Sequence, residues 1–362
     1  MKNPPKFASK IEKDFAAELN TRVNLYFKEN GLSRYANTEM VVKTIFHLSI
    51  WIGTYLLLLL GDFSTPVNYL LWAIMGFWMA MVTVNIGHDA IHGAYSSKKW
   101  VNNMLSHTFN FNGASAYMWK KMHNTAHHTY TNVDGFDEDI EPIPIIRISP
   151  QKKLMKIHRF QHIYAIFFYG LATISWVFIK DYVKFFKNEV GNFAGKAHPK
   201  QEYFYLFFYK IINYTIFLVL PIVLLPQPWG HTVLGFLLMH YIAGVSLGII
   251  FMLAHVVEET HFLMPDHKNQ LQHSWAVHQL YTTANFASKS WLASFLTGGL
   301  NTQVEHHLFP NVCSIHYRKL AGIVEETARQ YNHPYYELSF PGALRSHVRF
   351  LRKMGRTKPV TA

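Results

Sequence analysis

Three short stretches hold the residues best able to do chemistry: His88 with His92, His123 with His127 and His128, and Gln303 with His306 and His307. Residues three or four apart share one face of a helix, so each stretch aims two or three side chains in one direction. His255 closes the last long apolar run at a matching depth and joins them as a candidate ligand. Cys313 is the only cysteine. A thiolate metal site is therefore excluded, and histidine must supply any transition-metal shell. Imidazole suits iron, copper, zinc or nickel. Structural zinc usually takes four ligands, often cysteine, whereas the eight histidines named here exceed one ion's needs and fit two. A dinuclear iron centre reached by O2 is the better match, because a nearly all-nitrogen shell supports oxidants strong enough to attack an unactivated C–H bond. In an α-helix His128 is rotated by about 100° from His127, which suits bridging two adjacent metals. One such pair alone is more often a hydrogen-bonded coincidence than a metal site; three at one boundary are not. Asp89, Asp137, Glu138, Asp139, Glu258, Glu259 and Glu305 lie close enough in sequence to orient ring N–H groups. His261, just beyond His255, stays open.

The elements that position these residues read as membrane helices. Charged residues make up 15% of the chain, against about 25% in a soluble domain, and the apolar residues gather in runs. Four runs, about 44–60, 67–86, 203–225 and 233–254, are long enough to cross about 30 Å of hydrocarbon. Residues 61–66 join the first two runs and residues 226–230 the last two, with no Lys or Arg in either connector. Two hairpins follow. The basic residues fall in the N-terminal segment, in 87–202 and in the C-terminal tail, which places both termini and all three clusters on the cytoplasmic side. A fifth run, 163–179, has the length to cross, but one more crossing would put Gln303, His306 and His307 across the bilayer from the other clusters. It is expected to lie in the interface or against the cytoplasmic domain. Lys210, inside the third run, is expected to snorkel to the membrane boundary.

The fold expected is thus an all-α, multi-pass integral membrane protein: four transmembrane helices in two hairpins plus a cytoplasmic helical domain carrying the three histidine clusters. Residues 1–40 form an amphipathic segment at the membrane surface, with Phe15, Leu19, Val23 and Phe27 at helical spacing. Residues 41–320 form the membrane di-iron domain, and 321–362 a basic cytoplasmic tail, solvated or facing the membrane. No cleaved signal peptide is expected. The net charge of +12 comes with no nucleic-acid-binding motif and fits contact with anionic membrane lipid instead.

At the clusters the chain resembles the membrane fatty acid desaturases, which carry three histidine boxes on the cytoplasmic side of four spanning helices. The stretches HDAIHGAYSS (88–97), HNTAHHTYTN (123–132), FMLAHVVEET (251–260), TTANFA (282–287) and GGLNTQVEHHLFPN (298–311) carry the resemblance. It extends from about residue 85 to 317 and is similar to the cyanobacterial delta-6 acyl-lipid group. Glutamine opening the third box resembles the front-end subgroup, which places a cis double bond between an existing one and the carboxyl end.

The resemblance implies that His88, His92, His123, His127, His128, Gln303, His306 and His307 hold two iron ions, with O2 as co-substrate, and His255 stands where desaturases place one further histidine. Stearoyl-type relatives have an asparagine four residues before that histidine; here it is Phe251. The implied substrate is a fatty acyl-lipid or acyl-CoA, such as a linoleoyl chain, held in an apolar tunnel walled by the second and fourth spans. The chain contains no HPGG haem motif, so electrons are expected from a separate ferredoxin or cytochrome b5-like donor docked on the basic face. The alternatives are a hydroxylase or ketolase acting on a fatty acid, alkane or carotenoid, and a metal transporter. The transporter would need ionisable groups near mid-membrane, where only His240 lies well inside a run.

Overall fold

The runs of apolar sequence become four helices long and apolar enough to cross a membrane, in a computed structural model that describes residues 3–8, 12–139, 143–187, 189–190, 193–194 and 198–359. In chain order the helices that matter are α1 (Lys13–Glu29), α2 (Thr38–Leu60), α3 (Thr65–Ile91), α4 (Lys99–Phe111), α5 (116–127), α6 (Lys156–Tyr169) and α7 (Ala172–Phe185). They continue with α8 (Lys200–Leu224), α9 (Trp229–His255), α10 (Trp275–Thr282), α11 (Trp291–Thr297), α12 (Gln303–Leu308), α13 (Tyr317–Gln330) and α14 (Phe340–Met354). The candidate spans α2, α3, α8 and α9 each start or end a few residues from the expected bounds. Besides helices, three pairings of two-residue strands among the described residues staple loops together, including Lys6–Phe7 with Gln270–Leu271 and Asn285–Phe286 with Glu337–Leu338, both parallel.

Local chemistry starts these helices. The Asn37 side chain accepts the Met40 N–H at 2.9 Å and caps α2, a contact of the kind that contributes about 1 kcal/mol. Pro66 occupies the first turn of α3, where its missing N–H has no partner to lose. α3 and α9 then cross in close contact, because a Cβ added at Gly76 would lie 2.1 Å from the Met239 carbonyl oxygen. Trp72, fully buried, packs over Gly235 nearby. This crossing aims the ends of both helices, and so His88, His92 and His255, at one place.

The fifth apolar run is a broken helix. α6 and α7 bend by 64° at Gly170–Leu171, and the break lies against Gly244 and Gly248 of α9, where an added Cβ would meet the Gly170 carbonyl and Tyr169. Thr173 Oγ1 also donates to the His240 carbonyl at 2.7 Å. The segment therefore packs along a candidate span as well as against α14.

Three expectations change. The apolar stripe of α1 (Phe15, Leu19, Val23, Phe27) is buried against Leu320, Val324 and Ala328 of α13, so protein rather than lipid covers it. The basic tail is equally built in. α14 buries Ala343, His347, Phe350, Leu351 and Met354 while Arg345, Arg349 and Arg352 stay exposed, and the buried Arg147 guanidinium donates to the carbonyls of Pro150, Lys152, Met354 and Thr357. Lys210 does not snorkel. Its Nζ turns inward to Asp181 Oδ2 at 2.8 Å and to the carbonyls of Gly113 and Trp176 at 2.7 and 2.6 Å.

Removing one partner of a buried pair leaves an uncompensated charge, a loss of roughly 3–5 kcal/mol. Lys210→Met is accordingly expected to lower unfolding stability by that order, and adding Asp181→Asn to restore part of it. Thermal melts of the two variants in detergent check this; equal melting of Lys210→Met and wild type would show that the pair contributes nothing.

Candidate metal centre

Two wide helical turns set the first two clusters. At the end of α3, residues Thr83–Gly87 open into a π-turn, and the His88 N–H reaches back to the Thr83 carbonyl. His92 follows one normal turn later, its N–H on the His88 carbonyl at 3.1 Å, and the two rings lie 4.7 Å apart. In α5 the stretch Lys120–His127 is also π-helical, with the His128 N–H on the His123 carbonyl at 3.0 Å. An α-helix would turn His128 well away from His123. The wide turn instead brings both His127 and His128 close, with ring centres 5.0 and 4.8 Å from that of His123.

The third cluster is bolted to the first. Gly298 and Gly299, both at positive φ, make the turn before α12, and a Cβ at Gly298 would lie 2.3 Å from the Val84 carbonyl oxygen. Asn85 Nδ2 donates to the Leu296 carbonyl at 2.9 Å. On the far side of α12, Asp89 accepts from the Ser314 N–H at 3.0 Å, the Ser314 hydroxyl at 2.8 Å and the Cys313 thiol at 3.2 Å. α12 thus presents Gln303, His306 and His307 inward, and all three are fully buried.

The structure brings all nine candidate side chains together. His88, His92, His123 and His306 offer nitrogens within 4.8 Å of one another, as do His127, His255 and His307, while His128 does so with His306 and His307. The result is a two-lobed pocket. Gln303 sits 2.8 Å from His255 Nε2 through its amide nitrogen, and its Oε1 has no partner. Nitrogens face nitrogens: His88 Nε2 and His128 Nε2 lie 3.2 and 3.3 Å from His123 Nε2. The Nε2 atoms of His92, His306 and His307 have no hydrogen-bond partner.

Burial pushes His92, His123, His128, His306 and His307 well below the usual histidine range, with like charge from neighbouring rings adding to it. They are neutral, with lone pairs available. At His127 burial acts in the same direction but Asp137 outweighs it, so that ring is raised. Converging lone pairs that are buried and unpartnered fit a metal centre.

Acceptors outside the pocket fix the rings. His123 Nδ1 meets Asp139 at 2.6 Å, His127 Nδ1 meets Asp137 at 3.0 Å, His307 Nδ1 meets Gln279 Oε1 at 2.8 Å and His306 Nδ1 meets the Tyr317 hydroxyl at 3.2 Å. His255 Nδ1 lies 3.3 Å from the Thr282 carbonyl. With Nδ1 held outward, Nε2 is free inside the pocket. Of the carboxylates considered from sequence, only Asp137 and Asp139 do this. Glu138 pairs with Lys184 and Glu259 accepts from Ser346. Glu305, which burial pushes up to about 7, is held by Asn285 and Tyr335. His261 lies outside, against Tyr336.

Apolar rings close one side of the pocket. Trp119 stacks on His123 with ring centres 4.9 Å apart, and Phe251 lies 5.7 Å from Trp119. Next to α3 and α9, a cavity lined by Met79, Thr83, Phe109, Asn112, Trp176 and Leu247 holds about 10 Å³, room for about one water.

A family profile described as fatty acid desaturase matches residues 64–339. The chain is 34% identical over 357 residues to the sn-1 linoleoyl-lipid 6-desaturase of Synechocystis sp., covering 97% of this chain and 98% of that one. It is 33% identical over 341 residues to the enzyme of the same name from Arthrospira platensis, covering 94% and 92%. To an acyl-lipid (8-3)-desaturase of Physcomitrium patens it is 33% identical over 359 residues, covering 97% of this chain and 74% of that protein. The chain belongs to the fatty acid desaturase family, and it is an oxidoreductase.

Orienting carboxylates commonly change metal affinity by about 10–100-fold. Asp137→Asn is expected to weaken metal binding by that order, measured by competition with a chromophoric chelator. Unchanged affinity would mean that the Asp137 contact does not act through the His127 ring.

Proposed function

We propose that this protein is an acyl-lipid desaturase of the front-end type, inserting a cis double bond on the carboxyl side of an existing one, with a linoleoyl chain as a fitting substrate. The observation that carries the reading is the two-lobed, nitrogen-rich cluster that includes Gln303 beside His255, in a chain similar over nearly its whole length to enzymes named linoleoyl-lipid 6-desaturases.

In this reading His88, His92, His123 and His306 would hold one iron ion. His127, His255, His307 and Gln303 would hold a second, and His128, whose nitrogen approaches those of His306 and His307, would join the set. With O2, a pair of bound iron ions supplies the oxidising power to remove hydrogen from an unactivated CH2 group. The chain does the rest. Asp139, Asp137, Gln279 and Tyr317 hold the Nδ1 sides of His123, His127, His307 and His306, so that the Nε2 atoms of these four rings point inward. Trp119 and Phe251 present an apolar surface beside the His123 ring, which favours a hydrocarbon neighbour over water.

The membrane arrangement belongs to the same proposal. α2 with α3 and α8 with α9 form two hairpins, and the basic termini and histidine boxes face the cytoplasm. The absence of Lys and Arg from both hairpin connectors supports this. The exposed arginines of α14 give an acidic ferredoxin or cytochrome b5-like donor a complementary face.

Expression in a host fed defined fatty acids, with double bonds mapped by mass spectrometry, tests the reading. A new double bond between an existing one and the carboxyl end is expected; a hydroxylated product, or none with a competent electron donor, would contradict it. Gln303→Ala is expected to reduce the product to background while the protein still inserts, and retained activity would remove Gln303 from the site.

A further inference from the structure

Away from the histidines, two cavities meet at the start of α2. One, of about 310 Å³, is lined mainly by Val42, Phe46, Trp291 and Phe295. The other, of about 240 Å³, is lined by Ser294, Ser314, Ile315, Arg318 and Lys319. Glu39, Lys43, Trp291 and Phe295 line both. One continuous cleft therefore has an apolar arm and a cationic arm, with Lys43 where they join.

The cations of this arm are not taken up by close ion pairs, although Asp89 and Glu39 act on Lys43 at longer range. Lys43 is 6% exposed, and its Nζ has only the Ser294 carbonyl at 3.2 Å and the face of Phe295 at 5.6 Å. Among the described residues none of Lys43, Arg318 and Lys319 forms an ion pair within 4.0 Å. The Ser294 hydroxyl is buried without a partner. Glu39 is the one carboxylate lining the cleft, against three cations. A buried lysine and a buried, unpartnered hydroxyl beside two further cations are the groups that receive a phosphate. The apolar arm opens beside Val42 and Ile45, which are 60% and 59% exposed on the outer face of α2, a face that suits hydrocarbon.

The back wall of the cleft leads to the histidine pocket. Ser314 is fixed by Asp89, the neighbour of His88, and Tyr317, one residue before Arg318, touches His306. An amphiphile seated in the cleft is thus registered against the same segments that orient the site.

We propose that this cleft binds the headgroup of a membrane glycerophospholipid, its phosphate on Lys43, Arg318, Lys319 and Ser294 and the upper part of an acyl chain along Val42, Phe46, Trp291 and Phe295. The proposal rests on the desaturase reading and names the carrier: a phosphate-bearing lipid taken from the bilayer, rather than a soluble thioester.

Trp291 lines both arms and reports occupancy. Purified full-length protein is titrated in neutral micelles with a dibrominated phosphatidylglycerol or a dibrominated galactosyl diacylglycerol, and the quenching lost in Trp291→Phe defines the site. Site quenching is expected at a roughly tenfold lower mole fraction of the phospholipid, since a charge-assisted phosphate contact is worth about a factor of ten or more. Arg318→Gln with Lys319→Gln, two exposed positions that leave packing intact, is expected to remove that preference. Equal quenching by both lipids in the wild type, or a preference that survives the double variant, would overturn the proposal. Displacement by palmitoyl-CoA at lower concentration than by phospholipid would overturn it too. Quenching needs no turnover, so a preference that holds while the feeding experiment yields no product would count against the desaturase reading alone.

Discussion

Eight imidazole rings packed with their nitrogens facing one another are a conflict that the polypeptide does not resolve by itself. Burial keeps most of them neutral, the outward nitrogens of five rings meet fixed partners, and several inner nitrogens have nothing to accept from. Unsatisfied polar groups in a dry pocket each cost about 1–3 kcal/mol. A bound cation would remove that penalty at many atoms together, so the proposed metal centre would also stabilise the pocket.

The rest of the architecture follows from holding those rings in place. The α3–α9 crossing at Gly76 brings His88 and His255 to the two lobes of one pocket, and Gly298 against Val84 carries α12 to the same spot. The third support is less direct. Asp181 accepts the Ser115 N–H at 2.7 Å as well as the Lys210 ammonium, which also holds the Gly113 carbonyl. Gly113 and Ser115 immediately precede α5, so the buried ion pair fixes the base of the helix that bears His123, His127 and His128. An ion pair in an apolar surrounding is an expensive anchor, and here it joins α8 to the root of the histidine-bearing segment.

Much of this was legible in the sequence, for definite reasons. Histidines at i and i+4 declare a shared face whatever the fold, and apolar runs of spanning length declare their helices, so the nine candidate side chains and the four long helices could be read directly. The π-turns before His88 and His128 could not, because a single widened turn has no periodicity to betray it. Gln279 and Tyr317 were equally silent: they lie 28 and 11 residues from the rings they meet, on other helices, and reach the pocket only through tertiary packing. Asp137 and Asp139 stood among seven carboxylates near the clusters, and nothing in spacing separates them from Glu138, which turns to Lys184. The stripe of α1 announced an amphipathic helix but not its partner; the same pattern serves lipid or the face of α13. Lys210 misled because a lysine near a span's end usually reaches for the boundary, and its partner Asp181 lies in a broken helix whose path the sequence leaves open.

The most direct test of the account is the stoichiometry and ligand chemistry of bound iron. Anaerobic titration of the purified, metal-free protein with ferrous iron, followed by Mössbauer and X-ray absorption spectroscopy, is predicted to saturate at two ions per chain with a shell dominated by nitrogen. Saturation at one ion, or no specific binding by correctly folded protein, would contradict the two-lobed metal centre on which the functional reading depends.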